Sequence, residues 1–190
     1  MHLDVQAAVG TTWEAVGLVW LIGLAFTKRT VRTQPAGSRL FPMVLTLFGF
    51  FLLGSRYFRA GWLGERFLPY THAVAVAGLA VTIAGCLFAV WARIMIGSNW
   101  SGRATVKDVH ELIVKGPYAL ARHPIYAGLL LGGAGTAIAI GEARCLLGLA
   151  LLFLGFAVKI GQEERLMLEA FPQAYPAYRR RVKALIPGVF

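Results

Sequence analysis

Apolar residues fall along this chain in five runs separated by short polar connections. The first extends from about Gly10 to Thr27, the second from about Leu40 to Phe58, and the third from His72 to Ile96. The fourth covers about Pro124 to Gly141 and the fifth Arg144 to Ile160. A membrane-spanning helix needs roughly 17–25 mostly apolar residues. The third run meets this outright. The first two are adequate, with Glu14 expected near an interface. The fourth and fifth are short, and only Gly141, Glu142 and Ala143 separate them. That spacing predicts a helical hairpin with a tight turn. Basic residues follow the first run and do not precede it, so it is expected to remain as a span and not to be a removed signal peptide. The pattern predicts an all-α integral membrane protein of five transmembrane helices in a single domain over residues 1–190. The segment 1–70 carries helices one and two without a motif, and 71–190 carries the chemistry.

Beyond Ile160 the apolar spacing of residues 162–171 continues as an amphipathic helix. Pro172 and Pro176 interrupt it, and Tyr175, Tyr178 and Arg179-Arg180-Arg181 follow. Such a basic tail either lies on an anionic membrane surface or folds over the end of the helix bundle.

Composition agrees with the pattern. The chain is 57% hydrophobic and 15% charged, against roughly 45–50% and about 25% in soluble proteins. Its net charge of +10 would suit nucleic acid, but the basic residues sit in short connections and form no soluble face. They sort by side. Lys28, Arg29, Arg32 and Arg39 follow the first run. Arg93, Arg103, Lys107, Lys115 and Arg122 attend the third. Lys159, Arg165, Arg179, Arg180, Arg181 and Lys183 attend the fifth. Only Arg56, Arg59, Arg66 and Arg144 fall on the other side. The positive-inside rule then puts the N-terminus outside and the C-terminus in the cytoplasm. Topology accounts for the charge, and no nucleic-acid partner is expected. Cys86 and Cys145 lie in or beside apolar runs and read as packing residues. His2, His72, His110 and His123 are too scattered to argue a metal site.

The chemistry gathers in residues 116–126. Gly116-Pro117 signals a turn. Pro124 suits the first turn of a helix, whose free N–H groups would lie beside Arg122 and His123 and favour an anion. Glu163-Glu164, some forty residues on, is the expected counter-charge, because the hairpin folds helix five back along helix four. Taken singly, these residues have plainer readings. A glutamate pair can be a solvated helix end, Arg122 can reach for headgroups, and His123 can fill a turn. Carboxylates near a helix C-terminus oppose its dipole, however, and the joint pattern asks for a compensating partner or a function.

Gly116-Pro117-Tyr118, then Arg122-His123-Pro124-Ile125-Tyr126, then Glu163-Glu164-Arg165-Leu166, then Tyr175, Tyr178 and Pro187 resemble the isoprenylcysteine carboxyl methyltransferase family, with the related membrane phospholipid methyltransferases. The resemblance covers about Ile96 to the C-terminus. It implies an enzyme of the inner (plasma) membrane that uses S-adenosylmethionine at its cytoplasmic face and methylates a lipophilic or lipidated acceptor. It implies cofactor binding by Lys115, Gly116, Tyr118, His123, Pro124, Tyr126, Glu163 and Glu164, with Arg122 and Glu164 catalytic. Which glutamate does what stays open. Where the family tail often reads Phe-Gly-x-Glu-Tyr, this chain has Phe171-Pro172-Gln173-Ala174-Tyr175, so no contact of that glutamate carries over. Two rivals use other partners. One is an NADPH-dependent sterol-reductase-like oxidoreductase, which shares the His-Pro-x-Tyr region. The other is a non-catalytic membrane scaffold. Small residues at 132–135 would allow close helix packing or widen an access path for the acceptor.

Overall fold

The computed structural model describes residues 4–25, 30–33, 37–55, 57–97, 105–107 and 112–188. Six α-helices carry the fold: α1 (Val5–Leu24), α2 (Gly37–Gly54), α3 (His72–Ile96), α4 (Pro124–Ile140), α5 (Ala143–Ala170) and α6 (Ala174–Arg181). Local chemistry sets several of their ends. The Asp4 carboxylate caps α1 by accepting from the N–H groups of Gln6 and Ala7. The Thr71 hydroxyl does the same for α3 through Val74. Pro124 opens α4, and Gly141, at φ 71°, closes it in the left-handed region that favours glycine.

By length and composition α1, α3 and α5 can cross a membrane, while α2 and α4 are shorter apolar helices. Earlier capping than the apolar pattern suggests moves α1 toward the N-terminus. Glu14 therefore sits near the middle of α1, exposed. Helix α5 runs unbroken through residues 162–170, the predicted amphipathic continuation. Among the described residues the helices are joined by a two-stranded antiparallel ribbon, β1 (Thr30–Thr33) with β2 (Thr105–Lys107). Both strands are short and rich in β-branched residues, which favour extended backbone. Lys28, Arg29, Arg56 and Arg103 of the topology argument, with His2 and His110, lie outside the described residues.

Two antiparallel helix pairs form the body. Helix α4 lies along α3, and α5 along α2, with α1 packed mainly on α3 and reaching α4. Glycines set the first pair. A methyl group on Gly85 would strike the backbone of Gly128 and Gly132, and one on Gly78 or Gly135 would strike the facing helix. Close approach, and not a widened path, is thus what Gly132 and Gly135 serve. Between these contacts the buried hydroxyls of Thr82 and Thr136 lie 3.3 Å apart. Gly49 and Gly148 play the equivalent part between α2 and α5. Cys86 and Cys145 are buried and unpaired, as packing residues should be.

Beside the α4–α5 turn one arginine points inward. Arg144 is only 1% exposed. Its guanidinium donates to Glu142 at 2.6 Å and to the carbonyls of Leu52 and Leu53 at the end of α2. It caps α2 from the neighbouring helix.

Candidate functional site

Residues 116–126 connect the strand region to α4. A 3-10 turn, Gly116–Ala119, begins at Gly116 with φ 59°. It buries Pro117 and Tyr118 against α3, and the Tyr118 hydroxyl reaches the Ala92 carbonyl at 3.4 Å. The chain then presents Arg122 and His123 at the head of α4. His123 is the N-cap, but its side chain makes no capping bond. It turns instead toward α5, where Phe156, Lys159, Glu163 and Glu164 recur at helical spacing on one face.

There the forty-residue gap closes. Arg122 Nε and Nη2 both donate to Glu164 Oε1, at 2.9 and 2.6 Å. His123 lies between the two carboxylates, with Nε2 3.4 Å from Glu164 Oε1 and Nδ1 3.4 Å from Glu163 Oε2. The Tyr126 hydroxyl donates to Glu163 Oε1 at 2.5 Å. Its ring stacks between His123 and Phe156, and Lys159 Nζ stands 5.3 Å from its centroid. Arg122 and Glu164 side chains are 8% and 11% exposed, so the pair is shielded from water and the screening that weakens surface ion pairs. Burial pulls the His123 pKa down, but hydrogen bonds to Glu163 and Glu164 outweigh it and hold the imidazole above its ordinary value. With His123 protonated, Arg122 and His123 balance the two carboxylates.

The C-terminal segment completes the arrangement. The backbone N–H groups of Arg122 and His123 donate to the carbonyls of Lys183 and Ala184, at 2.8 and 2.9 Å. Arg122 Nη1 also donates to the Val182 carbonyl. On α6, the buried Tyr178 hydroxyl donates to the Tyr118 carbonyl at 2.5 Å, and burial pushes its pKa up to about 12. It therefore stays a donor. The tail thus folds over this end of the bundle, the second of the two dispositions the sequence allows.

Of the residues singled out from sequence, Arg122, His123, Tyr126, Glu163 and Glu164 meet in one cluster. Pro124 starts the helix beneath it, while Gly116 and Tyr118 form the wall between it and α3. Lys115 is exposed and makes none of these contacts. The sequence reading missed three participants. Arg179, half exposed, places Nε 3.3 Å from Glu164 Oε2. Lys159 lies over Tyr126. Tyr175, 2% exposed, sets a hydroxyl without a hydrogen-bond partner beside Arg122 and Glu164. The spacing of Phe156, Lys159 and Glu163 on α5 was the available signal for the second. Among the described residues no group of His, Cys, Asp and Glu could hold a metal ion.

Residues 77–169 match the isoprenylcysteine carboxyl methyltransferase family. The chain is 28% identical over 119 residues to a protein-S-isoprenylcysteine O-methyltransferase of Xenopus laevis, covering 61% of this chain and 41% of that protein. It is 32% identical over 139 residues to the cobalt-zinc-cadmium resistance protein CzcN of Cupriavidus metallidurans, covering 72% and 59%. A solved structure of the eukaryotic intramembrane Ras methyltransferase superposes with a TM-score of 0.57 and 26% identity, covering 80% of this chain and 50% of that one. The chain spans less than two thirds of the length of these relatives.

Proposed function

We propose that this chain, whose residues 77–169 match the isoprenylcysteine carboxyl methyltransferase family, transfers a methyl group from S-adenosylmethionine to a lipophilic acceptor at the membrane face holding Arg122 and Glu164. The observation that carries the reading is the buried Arg122–His123–Glu163–Glu164 cluster, built within the matched segment.

The residues fit the cofactor. The orphaned Tyr175 hydroxyl would gain a partner from a polar group of a ligand at this place, since a buried unpaired hydroxyl is costly. Glu163 and Glu164 are acceptors for ammonium and ribose hydroxyls. When bound, S-adenosylmethionine supplies an electrophilic methyl group on a sulfonium. A carboxylate acceptor would need no base, because it carries no proton to lose. The chain's own part is orientation, which in well-aligned cases is worth about 7–11 kcal/mol. Arg122 holds an acceptor carboxylate or the adjoining ligand. Glu164 fixes Arg122 through both its Nε and Nη2, so of the two glutamates it is the positioning one. Glu163, tied to Tyr126 and His123, faces the cofactor side.

The membrane reading extends from α1, α3 and α5 to five spans, since α2 and α4 lie antiparallel along α5 and α3. Lys115, Arg165, Lys183 and the arginines of α6 share the cluster's end of the bundle, which supports a cytoplasmic site with the N-terminus outside and a single domain overall. An isoprenylcysteine carboxylate is the first acceptor to test, followed by other lipid-like acceptors. The deciding experiment is calorimetric binding of S-adenosylhomocysteine to the detergent-purified chain, beside Glu163→Ala, Glu164→Ala and His123→Ala, with NADPH as control. Saturable binding weakened by the substitutions is expected. Binding of NADPH alone, or of neither nucleotide by folded protein, overturns the reading.

A further inference from the structure

Helices α1 and α2 lean on different partners, α3 and α5. They meet across Trp13 and Phe50, whose rings stand edge to face with centroids 5.3 Å apart. From this contact toward the C-terminal end of α2, a cavity of about 480 Å³ opens between them, a size typical of small-ligand sites. Trp13 forms its floor, fixed by an indole N–H donated to Thr136 at 3.0 Å. Val9, Leu53 and Ile140 give it apolar walls. It belongs to the opposite end of the bundle from the methyl-transfer cluster, because Thr136 lies thirteen residues along α4 from His123, about 20 Å at 1.5 Å per residue.

The rim of this cavity is charged. Arg59 and Arg144 line it, and both draw on one carboxylate, Glu142. Two guanidinium groups against one carboxylate leave the rim cationic, with Arg59 partly exposed at the opening and Arg144 buried behind it. Gly10 and Gly54 also line the cavity, and a methyl group on either would meet nothing within 4 Å. Packing does not demand glycine at these places, and helix interiors disfavour it.

We propose that this cavity binds an acidic lipid, its aliphatic chain laid against Trp13 and Phe50 and its anionic head at Arg59. The excess charge selects the head, and the apolar walls between two outward-facing helices select the chain. The site is independent of the cluster at Arg122 and would stand if no methyl transfer were found.

Native mass spectrometry of the full chain in detergent tests this, with phosphatidylglycerol, phosphatidylcholine and oleate added in turn. Wild-type protein is expected to retain one phosphatidylglycerol at least tenfold more tightly than phosphatidylcholine. Oleate retained in competition with phosphatidylglycerol would identify a carboxylate-headed occupant of the same site. Gly10→Leu and Gly54→Leu fill the cavity and should each abolish the preference. Gly17→Leu should keep it, because Gly17 has the same open space but lies outside the cavity. Arg59→Gln should weaken phosphatidylglycerol several-fold and leave phosphatidylcholine unchanged. Melting temperatures near wild type show that the variants are folded. Equal retention of the two phospholipids by wild type, or unchanged retention by both cavity-filling variants, overturns the proposal.

Discussion

The Arg122–Glu164 pair offers a sharp comparison, because Glu164 also meets a second arginine under different conditions. Arg122 is 8% exposed and Arg179 is 52% exposed, yet both contact the same carboxylate. Glu164→Ala leaves Arg122 buried and with only backbone carbonyls to receive its N–H groups. Removing one partner of a buried pair costs about 3–5 kcal/mol. Arg179→Ala removes a contact in water, where ion pairs contribute about 0–1 kcal/mol. For a chain of this length each kcal/mol moves Tm by about 2–4 °C. Glu164→Ala should therefore lower Tm by at least about 6 °C, and Arg179→Ala by at most about 4 °C. Thermal unfolding in a single detergent, followed by circular dichroism, measures both. Glu164→Gln should fall between Glu164→Ala and wild type, since it keeps the shape and one acceptor. Equal losses for Glu164→Ala and Arg179→Ala would refute the reasoning, as would a Glu164→Ala loss below about 1 kcal/mol.

Three further outcomes are expected. A raised His123 pKa means that the folded chain binds its proton more tightly than the unfolded one. Its contribution is complete below the ordinary value of 6.5 and lost as pH rises through the raised native value, so Tm should fall across that window in wild type and not in His123→Gln. Gly85→Ala puts a methyl group against the backbone of α4 and should cost about 1–3 kcal/mol or more, whereas Gly17→Ala, with open space, should be neutral or mildly stabilising in the same melt. Tyr178→Phe removes a buried bond to the Tyr118 carbonyl and should cost about 0.5–1.5 kcal/mol, read in the same melts, with weaker S-adenosylhomocysteine binding because the 116–119 turn loses its tie to α6.

Much of this architecture is visible in the order of residues, and the exceptions have physical causes. Helix α3 matches the apolar run at both ends because Thr71 caps it and Gly97 turns out of it. The meeting of Arg122 and His123 with Glu163 and Glu164 follows from the two-residue turn Gly141-Glu142, which brings α5 back beside α4. The burial of Arg144 was not legible, because it depends on a nearby carboxylate and two open carbonyls of α2 that a count of charges does not show. Residues 182–184 act on Arg122 and His123 through backbone carbonyls, and no side-chain pattern marks those. The ribbon joins segments some seventy residues apart, each too short to carry periodicity. Helix α1 begins before its apolar run because Asp4 caps it.

The glycine contacts between α3 and α4 also act as a ruler. Gly78 and Gly85 are seven residues apart, as are Gly135 and Gly128, and each meets its opposite number on the facing helix. The depth at which His123 stands in the bundle is metered from these marks. A single residue inserted in α4 between Gly128 and Gly135 would advance one mark by about 1.5 Å and turn it by about 100°, carrying bulk into the seam and the head of α4 off the α5 carboxylates. Chain length in this segment should therefore be far less free to drift than identity at the outward-facing positions. Descendants of this sequence should vary their lipid-facing residues widely while keeping the residue count from Gly78 to Gly85 and from His123 to Gly135 unchanged.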